Sequence, residues 1–127
     1  MTTGAVPRRL PDGPRGALGK SGEALAARWY ESRGYRVVER NWRRRAGEVD
    51  LIVRKDRTVV FCEVKVRTTE RYGTGAESVA ALKQRRIRRL AGQWLAERGP
   101  RRDDRVDLRF DVVSITSGHI EVIEDAF

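Results

Sequence analysis

The sequence has few of the side chains that form cross-links or acid–base centres. Its 127 residues include one cysteine, Cys62, and one histidine, His119. A single cysteine excludes a disulfide within the chain. No apolar run approaches the roughly 18 residues that a membrane-spanning helix requires, and no signal-peptide-like segment is evident. We therefore expect a cytoplasmic protein that makes no membrane contact.

Acidic residues are the minority among the charged side chains. There are 27 lysines and arginines against 18 aspartates and glutamates, which gives a net charge of +9. A chain this basic favours a polyanionic partner, nucleic acid first and an anionic membrane surface second. A membrane-surface role would require an amphipathic helix that combines aromatic and basic residues, and none is evident. Nucleic acid is therefore the expected partner.

The length predicts one domain, which we assign to residues 19–127. Residues 1–18 hold three of the four prolines, three glycines and three arginines, with little apolar periodicity. This composition predicts a disordered basic tail. Within the domain, Cys62 reads as a buried structural thiol and His119, placed just after a turn, as an exposed strand residue.

Hydrophobic periodicity and turn residues predict an alternation of helices and strands. The predicted elements are a helix over 19–33 closed by Gly34, strands over 35–42, 47–54 and 59–65, a helix over 77–98, and strands over 108–115 and 119–123. A polar loop follows Arg67, and no internal repeat is present. This order predicts an α/β fold, with helices packed on the faces of a mixed sheet.

The second and third strands form a predicted hairpin with Asp56–Arg57 at the centre of its turn. In that register Asp50 lies opposite Glu63, and Glu48 lies opposite Lys65. Side chains alternate along a strand, so these charged residues share one face, at the end of the hairpin away from the turn. A slip of one residue would put Asp50 and Glu63 on opposite faces.

The same register predicts a wholly apolar opposite face. Val49, Leu51 and Val53 would point to that face, together with their partners on the next strand. We therefore expect this side of the hairpin to pack against the core.

The pairing of Asp50 with Glu63 predicts a cation site. Directly opposed Cβ atoms lie roughly 4.5–5.5 Å apart, so the two carboxylates could share one ion. Mg²⁺ prefers such oxygen ligands, and Lys65 on the same face could hold a phosphate or orient an attacking water. The alternative is a set of ordinary cross-strand ion pairs, which contribute only about 0–1 kcal/mol when exposed.

Two groups of basic residues could contact phosphates. Arg43, Arg44 and Arg45 immediately precede Gly47, next in sequence to the acidic residues. The long helix carries a second group on one face, formed by Lys83, Arg85, Arg86, Arg88 and Arg89. Either group could instead be a solvated surface, but the one-sided charge of the helix favours phosphate binding.

These residues resemble a known superfamily. Glu23 in the first helix, Asp50 in the second strand and Glu63-Val64-Lys65 in the third resemble the PD-(D/E)xK nucleases. The resemblance implies a restriction-endonuclease-like αβββαβ core with a mixed central sheet and flanking helices. The superfamily has a proline where Val49 stands here, a departure common in divergent members.

A narrower resemblance covers nearly all of residues 19–127. The chain resembles the YraN-like family, a bacterial group similar to archaeal Holliday junction resolvases. The motifs that carry this likeness are Gly22-Glu23, Gly34-Tyr35, Arg40-Asn41, Gly47-Glu48-Val49-Asp50, Phe61 to Arg67, Arg109-Phe110-Asp111-Val112 and Ala126-Phe127.

The superfamily resemblance implies specific roles. Asp50 and Glu63 match the metal-binding carboxylates, and the backbone carbonyl of Val64 matches a third ligand. Lys65 matches the lysine that activates the attacking water, and Glu23 matches a helix carboxylate that contributes to the metal site, often through water. The implied cofactor is Mg²⁺, with Mn²⁺ as the second candidate.

The implied activity is a metal-dependent endonuclease that hydrolyses phosphodiester bonds of structured or branched DNA in repair or recombination. DNA is favoured over RNA, and a homodimer is expected because two symmetric cuts require two-fold symmetry. The expected nucleic-acid contacts are Arg43, Arg44, Arg45, Arg67, Lys83, Arg86 and Arg89. The alternative is a non-catalytic nucleic-acid-binding module on the same scaffold.

Overall fold

The computed structural model describes residues 15–67, 81–98 and 105–127, with side chains from residue 21 onward. These ranges contain two helices and five strands. In chain order they are α1 (Arg15–Glu31), β1 (Arg36–Arg44), β2 (Gly47–Lys55), β3 (Thr58–Arg67), α2 (Ala81–Arg98), β4 (Asp107–Thr116) and β5 (His119–Ile123). The predicted loop at 68–76 and the predicted tail up to residue 14 lie outside the described residues.

The five strands form one mixed sheet in the order β1-β2-β3-β4-β5. Strands β3 and β4 run parallel, whereas every other neighbouring pair is antiparallel. A parallel pair requires a crossover, and α2 lies in the segment that connects β3 with β4. The predicted α/β class with a mixed sheet and helices on its faces is therefore confirmed.

The register of the β2–β3 hairpin agrees with the prediction as far as it extends. The pairs run from Lys55–Thr58 at the turn to Leu51–Cys62. Asp56 begins the turn with a φ of 54°, a left-handed conformation that aspartate tolerates better than most residues. The expected pairs beyond Leu51, including Asp50 with Glu63, fall past the end of this ladder.

Each face of the sheet packs against one helix. On one face, α1 packs against a cluster that includes Leu51, Val53 and Cys62. On the other, α2 packs against a cluster that includes Ile52 and Phe61. Apolar residues therefore alternate between two buried faces, as a sheet covered on both sides requires. We call these the α1 face and the α2 face.

Val49 departs from this alternation. It lies in the α2-face cluster, whereas Leu51, two residues later, lies on the α1 face. The prediction that both residues share one face is therefore wrong. The neighbouring strand supplies a reason, because Asn41 adopts a φ of 50° inside β1, between the pairs Arg40–Leu51 and Trp42–Val49. A left-handed residue within a strand interrupts the pleat and re-aims the side chains around it.

Helix α1 begins at Arg15, four residues before the predicted start. Residues 15–18, which were predicted to belong to a disordered tail, are helical. Glu23 therefore lies in the middle of the helix instead of its first turn, so an interaction with the helix dipole does not explain its position. Gly34 follows the helix with a φ of 92°, which confirms the predicted glycine cap.

The remaining boundaries shift by small amounts. Strand β1 extends to Arg44, so two of the three consecutive arginines lie on a strand. Helix α2 is described from Ala81, and residues 77–80 lie outside the described residues. Leu82 was expected on the buried side of this helix but is 61% exposed. His119 is exposed at the start of β5, as predicted.

A buried polar network joins α1 to β4. The Tyr30 hydroxyl donates to Asp111 Oδ2 at 2.6 Å, and the Arg109 guanidinium donates to both oxygens of Asp111 at 2.9 Å. The backbone N–H of Asp125 adds a further bond of 3.0 Å. Cys62 is buried on the same face, and burial raises the pKa of its thiol, which confirms the predicted structural role.

Candidate active site

Helix α1 brings Glu23 to the sheet because its neighbour has no side chain. Gly22 is buried, and a Cβ atom added to it would lie 2.3 Å from Cγ2 of Val66 on β3. Real Cβ atoms do not approach other carbons this closely, so only glycine allows this separation of helix and strand. The close approach places Glu23 at the end of the hairpin away from its turn.

Three carboxylates meet at that end. Glu23 from α1 joins Glu48 and Asp50 from β2, and one oxygen from each lies within 4.8 Å of the others. We call these three residues the acidic cluster. All are partly buried. Oxygens at this spacing can converge on one divalent cation, since Mg²⁺ is held at about 2.0–2.1 Å by such ligands.

The left-handed conformation of Asn41 on the adjacent strand explains why the cluster forms on the α1 face. Strict alternation from Leu51 would turn Asp50 towards α2. The interruption instead lets Asp50 lie beside Glu23 of α1. The side chain of Asn41 hydrogen-bonds to the Glu23 carboxylate and opposes the effect of burial, which raises the pKa of Glu23. Asn41 therefore contributes both backbone geometry and a hydrogen bond.

Asp50 is the most perturbed acid of the cluster. Burial raises its pKa to about 7, and the nearby negative charge of Glu63 is the second cause. The N–H of Val64 donates to Asp50 Oδ2 at 2.8 Å, which opposes this rise. Near neutral pH the carboxyl is therefore divided between its protonated and ionised forms. A cation bound at this position would favour the ionised carboxylate and so oppose the rise in pKa.

Glu63 lies beside the acidic cluster, but its carboxylate is paired with a residue of α2. It follows Phe61 on the α2 face and is only 7% exposed. Its carboxylate forms an ion pair with the ammonium group of Lys83 on α2, with Nζ and Oε2 2.5 Å apart. The structure thus brings Glu23 and Asp50 together and leaves Glu63 adjacent to them, paired with a lysine.

Lys65 lies near the same groups. Burial lowers the pKa of its ammonium group, and the positive charge of Lys83 lowers it further. The carboxylates of Glu63 and Asp50 oppose this shift. Two lysines therefore lie beside two carboxylates at one end of the sheet, and groups with shifted pKa values often cluster at functional sites.

The three consecutive arginines at the end of β1 and in the following turn have different contacts. Arg43 pairs with Glu48 at 3.2 Å. Arg44 pairs with Glu97 of α2 at 2.6 Å, and its guanidinium lies 4.3 Å from the centre of the Trp42 ring. Arg44 is therefore held by contacts within the protein, whereas Arg45 is exposed in the turn.

A groove between α2 and the β1–β2 turn carries more positive charge. It has a volume of about 450 Å³ and is lined by Ala46, Leu82, Arg85, Arg86 and Arg89. The three arginines are exposed, and Arg86 lies over Gly47. Of the other candidates, Arg67 is partly buried at the end of β3.

Arg88 differs from the arginines of the groove. It was grouped with the phosphate-binding face, but its guanidinium lies 4.9 Å from the ring centre of Phe110, close also to Phe127. This contact assigns Arg88 to packing of the α2-face cluster.

Fold and site together define a mixed α/β protein with an acidic cluster at one end of a five-stranded sheet. The chain belongs to the uncharacterised protein family UPF0102, whose profile matches residues 22–115. It is 52% identical over 116 residues to a UPF0102 protein of Rhodococcus opacus. The match covers 87% of this chain and 96% of the relative.

A second relative confirms the resemblance to the YraN-like family. The chain is 46% identical over 109 residues to the UPF0102 protein YraN of Escherichia coli, with 86% of this chain and 82% of the relative covered. In the described ranges, neither helix is long and apolar enough to cross a membrane.

The site contains two contributions that the sequence analysis did not assign. Asn41 is a structural part of the acidic cluster, and the family motif Arg40-Asn41 was the signal that could have identified it. Lys83 was expected to contact nucleic acid, but in the structure it pairs with Glu63. Sequence spacing gave no indication of that pair, because it depends on where α2 meets the sheet.

Proposed function

We propose that this protein is a metal-dependent endonuclease that cleaves phosphodiester bonds of structured or branched DNA. The observation that carries the proposal is the convergence of Asp50 with Glu23 and Glu48, beside Glu63 and Lys65. Partly buried carboxylates that lie close together are typical of cation sites, because burial and their mutual repulsion both disfavour the ionised forms. The element order α1-β1-β2-β3-α2-β4 also matches the αβββαβ core of the PD-(D/E)xK nucleases.

The residues present fit a hard divalent cation. The cluster and Glu63 offer carboxylate oxygens, which suit Mg²⁺ or Mn²⁺. Asp50 and Glu63 would hold the ion with the backbone carbonyl of Val64, and Glu23 would contribute through water. The bound ion would supply Lewis-acid stabilisation of charge on the phosphate.

The chain's own residues would orient the substrate. Lys65 would hold the attacking water or a phosphate oxygen, because its ammonium group lies beside Glu63 and Asp50. Arg85, Arg86 and Arg89 would bind backbone phosphates in the groove next to the site. Such positive charge positions a nucleic acid without reading its sequence. This agrees with a substrate recognised by its shape.

Cleavage of branched and linear DNA in Mg²⁺ or Mn²⁺ tests the proposal. We expect wild-type protein to nick a branched substrate and Asp50→Asn to lose at least about a thousandfold in rate, since it removes a charge that the transition state requires. Glu63→Gln should behave in the same way. Both variants should still bind DNA in a gel-shift assay, because the groove lined by Arg85, Arg86 and Arg89 (the arginine groove) is unchanged.

The arginine groove also favours a second candidate, a nucleic-acid-binding module that does not cleave. Its arginines lie on α2 and could bind phosphates without a metal. DNA that is bound but never cut, across varied substrates and both metals, would support this candidate and contradict the endonuclease. Arg86→Ala would then weaken binding, whereas Asp50→Asn would leave it unchanged.

A further inference from the structure

Lys83 occupies an unusual position for a residue of a basic helix. It lies in the first turn of α2, and its ammonium nitrogen is 2.5 Å from a carboxylate oxygen of Glu63. The Lys83 side chain is 40% exposed, whereas that of Glu63 is 9% exposed. A flexible, half-exposed cation therefore neutralises a buried anion that has other carboxylates close by.

This arrangement satisfies a requirement of the acidic site. A buried carboxylate without a counter-charge destabilises the folded state, and Asp50 already experiences the negative charge of Glu63. The Lys83 ammonium supplies one positive charge at Oε2 of Glu63, the carboxylate that the proposed cation would also use. An ammonium group and a divalent ion held by the same carboxylate repel each other, so binding of one disfavours binding of the other.

We propose that Lys83 is an internal counter-cation of Glu63 that competes with the divalent cation and is displaced when the cation binds. The inference rests on the proposed metal site at Asp50 and Glu63. Lysine suits this role because its stem is long and rotatable and its head is a compact charge. A buried, bidentate arginine would be harder to release.

Displacement would also give Lys83 a second contact. Its position on α2 lies beside Leu82 and two residues before Arg85, both of which line the positively charged groove. Lys65, whose pKa responds to the charge of Lys83, lies on the adjoining strand. The released ammonium is thus available to a phosphate held between the groove and the acidic cluster. Lys83 is a positioning residue in this scheme.

Calorimetric titration of Mn²⁺ into chelator-treated full-length protein at pH 7.5 tests the inference without any cleavage assay. We expect Lys83→Met, which keeps an apolar stem but removes the charge, to bind Mn²⁺ at least tenfold more tightly than wild type. Lys83→Arg keeps the charge and should bind within about threefold of wild type. Arg57→Met removes one positive charge at the opposite end of the hairpin and is the matched control. It should leave the affinity unchanged.

Lys83→Gln is a second neutral variant, useful if Lys83→Met does not fold, because its amide can still donate a hydrogen bond to Glu63. It should also bind Mn²⁺ more tightly than wild type. Equal or weaker Mn²⁺ binding by the folded neutral variants would overturn the role of Lys83.

Asp50→Asn separates this inference from the proposed function. Wild-type Mn²⁺ binding that is lost in Asp50→Asn supports the metal site, whatever the outcome at Lys83. If wild type and the Lys83 variants bind no Mn²⁺, or bind it equally well after Asp50→Asn, the metal site fails and the competition inference fails with it.

Discussion

Asp111 is a wholly buried carboxylate on the α1 side of the sheet, and Asp50 is a partly buried one on the same side. The groups that surround the two carboxylates differ in charge. Asp111 is fully buried and accepts bonds from the Tyr30 hydroxyl, the Arg109 guanidinium and a backbone N–H. Asp50 accepts one bond, from Val64, among the described residues, and the charged groups that raise its pKa are the carboxylates of Glu63, Glu23 and Glu48. One carboxylate is neutralised within the fold, and the other is not.

This difference distinguishes a structural acid from a candidate functional acid. A buried charge that has a cation and a full set of donors needs nothing from outside the protein. A buried charge surrounded by like charges raises the free energy of the folded state until a proton or a cation arrives. The comparison therefore agrees with a structural role for Asp111 and with the proposed cation-binding role of Asp50.

The largest expected change in the free energy of unfolding follows replacement of Asp111. We expect Asp111→Asn to lower the free energy of unfolding by about 3–5 kcal/mol, because it leaves the partly buried Arg109 guanidinium without its main counter-charge. Urea unfolding at pH 7 would measure this. A loss below about 1 kcal/mol would mean that Glu124, 3.8 Å from Arg109, replaces the missing charge.

Replacement of Asp50 should change the free energy of unfolding in the opposite direction, by raising it above neutral pH. Because the pKa of Asp50 is raised from 3.8 to about 7, the folded state binds more protons than the unfolded state between these values. Stability should therefore fall as pH rises through this window. The shift corresponds to at most about 4 kcal/mol at pH 8, and Asp50→Asn should remove this loss. Urea unfolding of both proteins from pH 4 to pH 8 is the measurement.

Asp56→Asn is the control for this pH dependence. It makes the same chemical change at an exposed turn, in a left-handed conformation that asparagine also tolerates. Its profile should follow that of wild type. If Asp50→Asn also follows wild type, the burial of Asp50 has no energetic consequence and the contrast with Asp111 fails.

The smallest effect concerns one bond of the structural network. Tyr30→Phe removes the hydroxyl that donates to Asp111 at 2.6 Å but keeps the ring in the core. We expect a loss of about 1.5–3 kcal/mol, the usual contribution of a hydrogen bond to a charged group. Thermal unfolding with and without Mn²⁺ would measure it. An unchanged response to Mn²⁺ is expected, since the network is separate from the acidic cluster.

Much of the central hairpin could be predicted because local rules determine it. Apolar alternation and the turn at Asp56 fixed the pairs from Lys55–Thr58 to Leu51–Cys62, and the structure has those pairs. The family resemblance likewise identified Glu23 as a neighbour of the site. Binary patterns and motifs are properties of neighbouring residues, so sequence inspection recovers them.

The features that the sequence analysis missed depend on distant contacts. Val49 was assigned to the wrong face because the left-handed conformation of Asn41 on the adjacent strand changes the alternation. The ion pairs of Lys83 with Glu63 and of Arg44 with Glu97 join different elements, and sequence spacing did not predict them. No local pattern specifies which residues meet when a helix docks on a sheet.

The sheet divides the candidate site between two independently packed layers. Glu23 is carried by α1 and Asp50 by β2, where the Val64 N–H holds its carboxylate, whereas Glu63 is held from the other side by Lys83 of α2. A transient opening of α2 alone would therefore expose Glu63 and free its lysine while leaving the Glu23–Asp50 half in place. Access to the proposed cation site would then depend on the local stability of α2 more than on the stability of the whole domain.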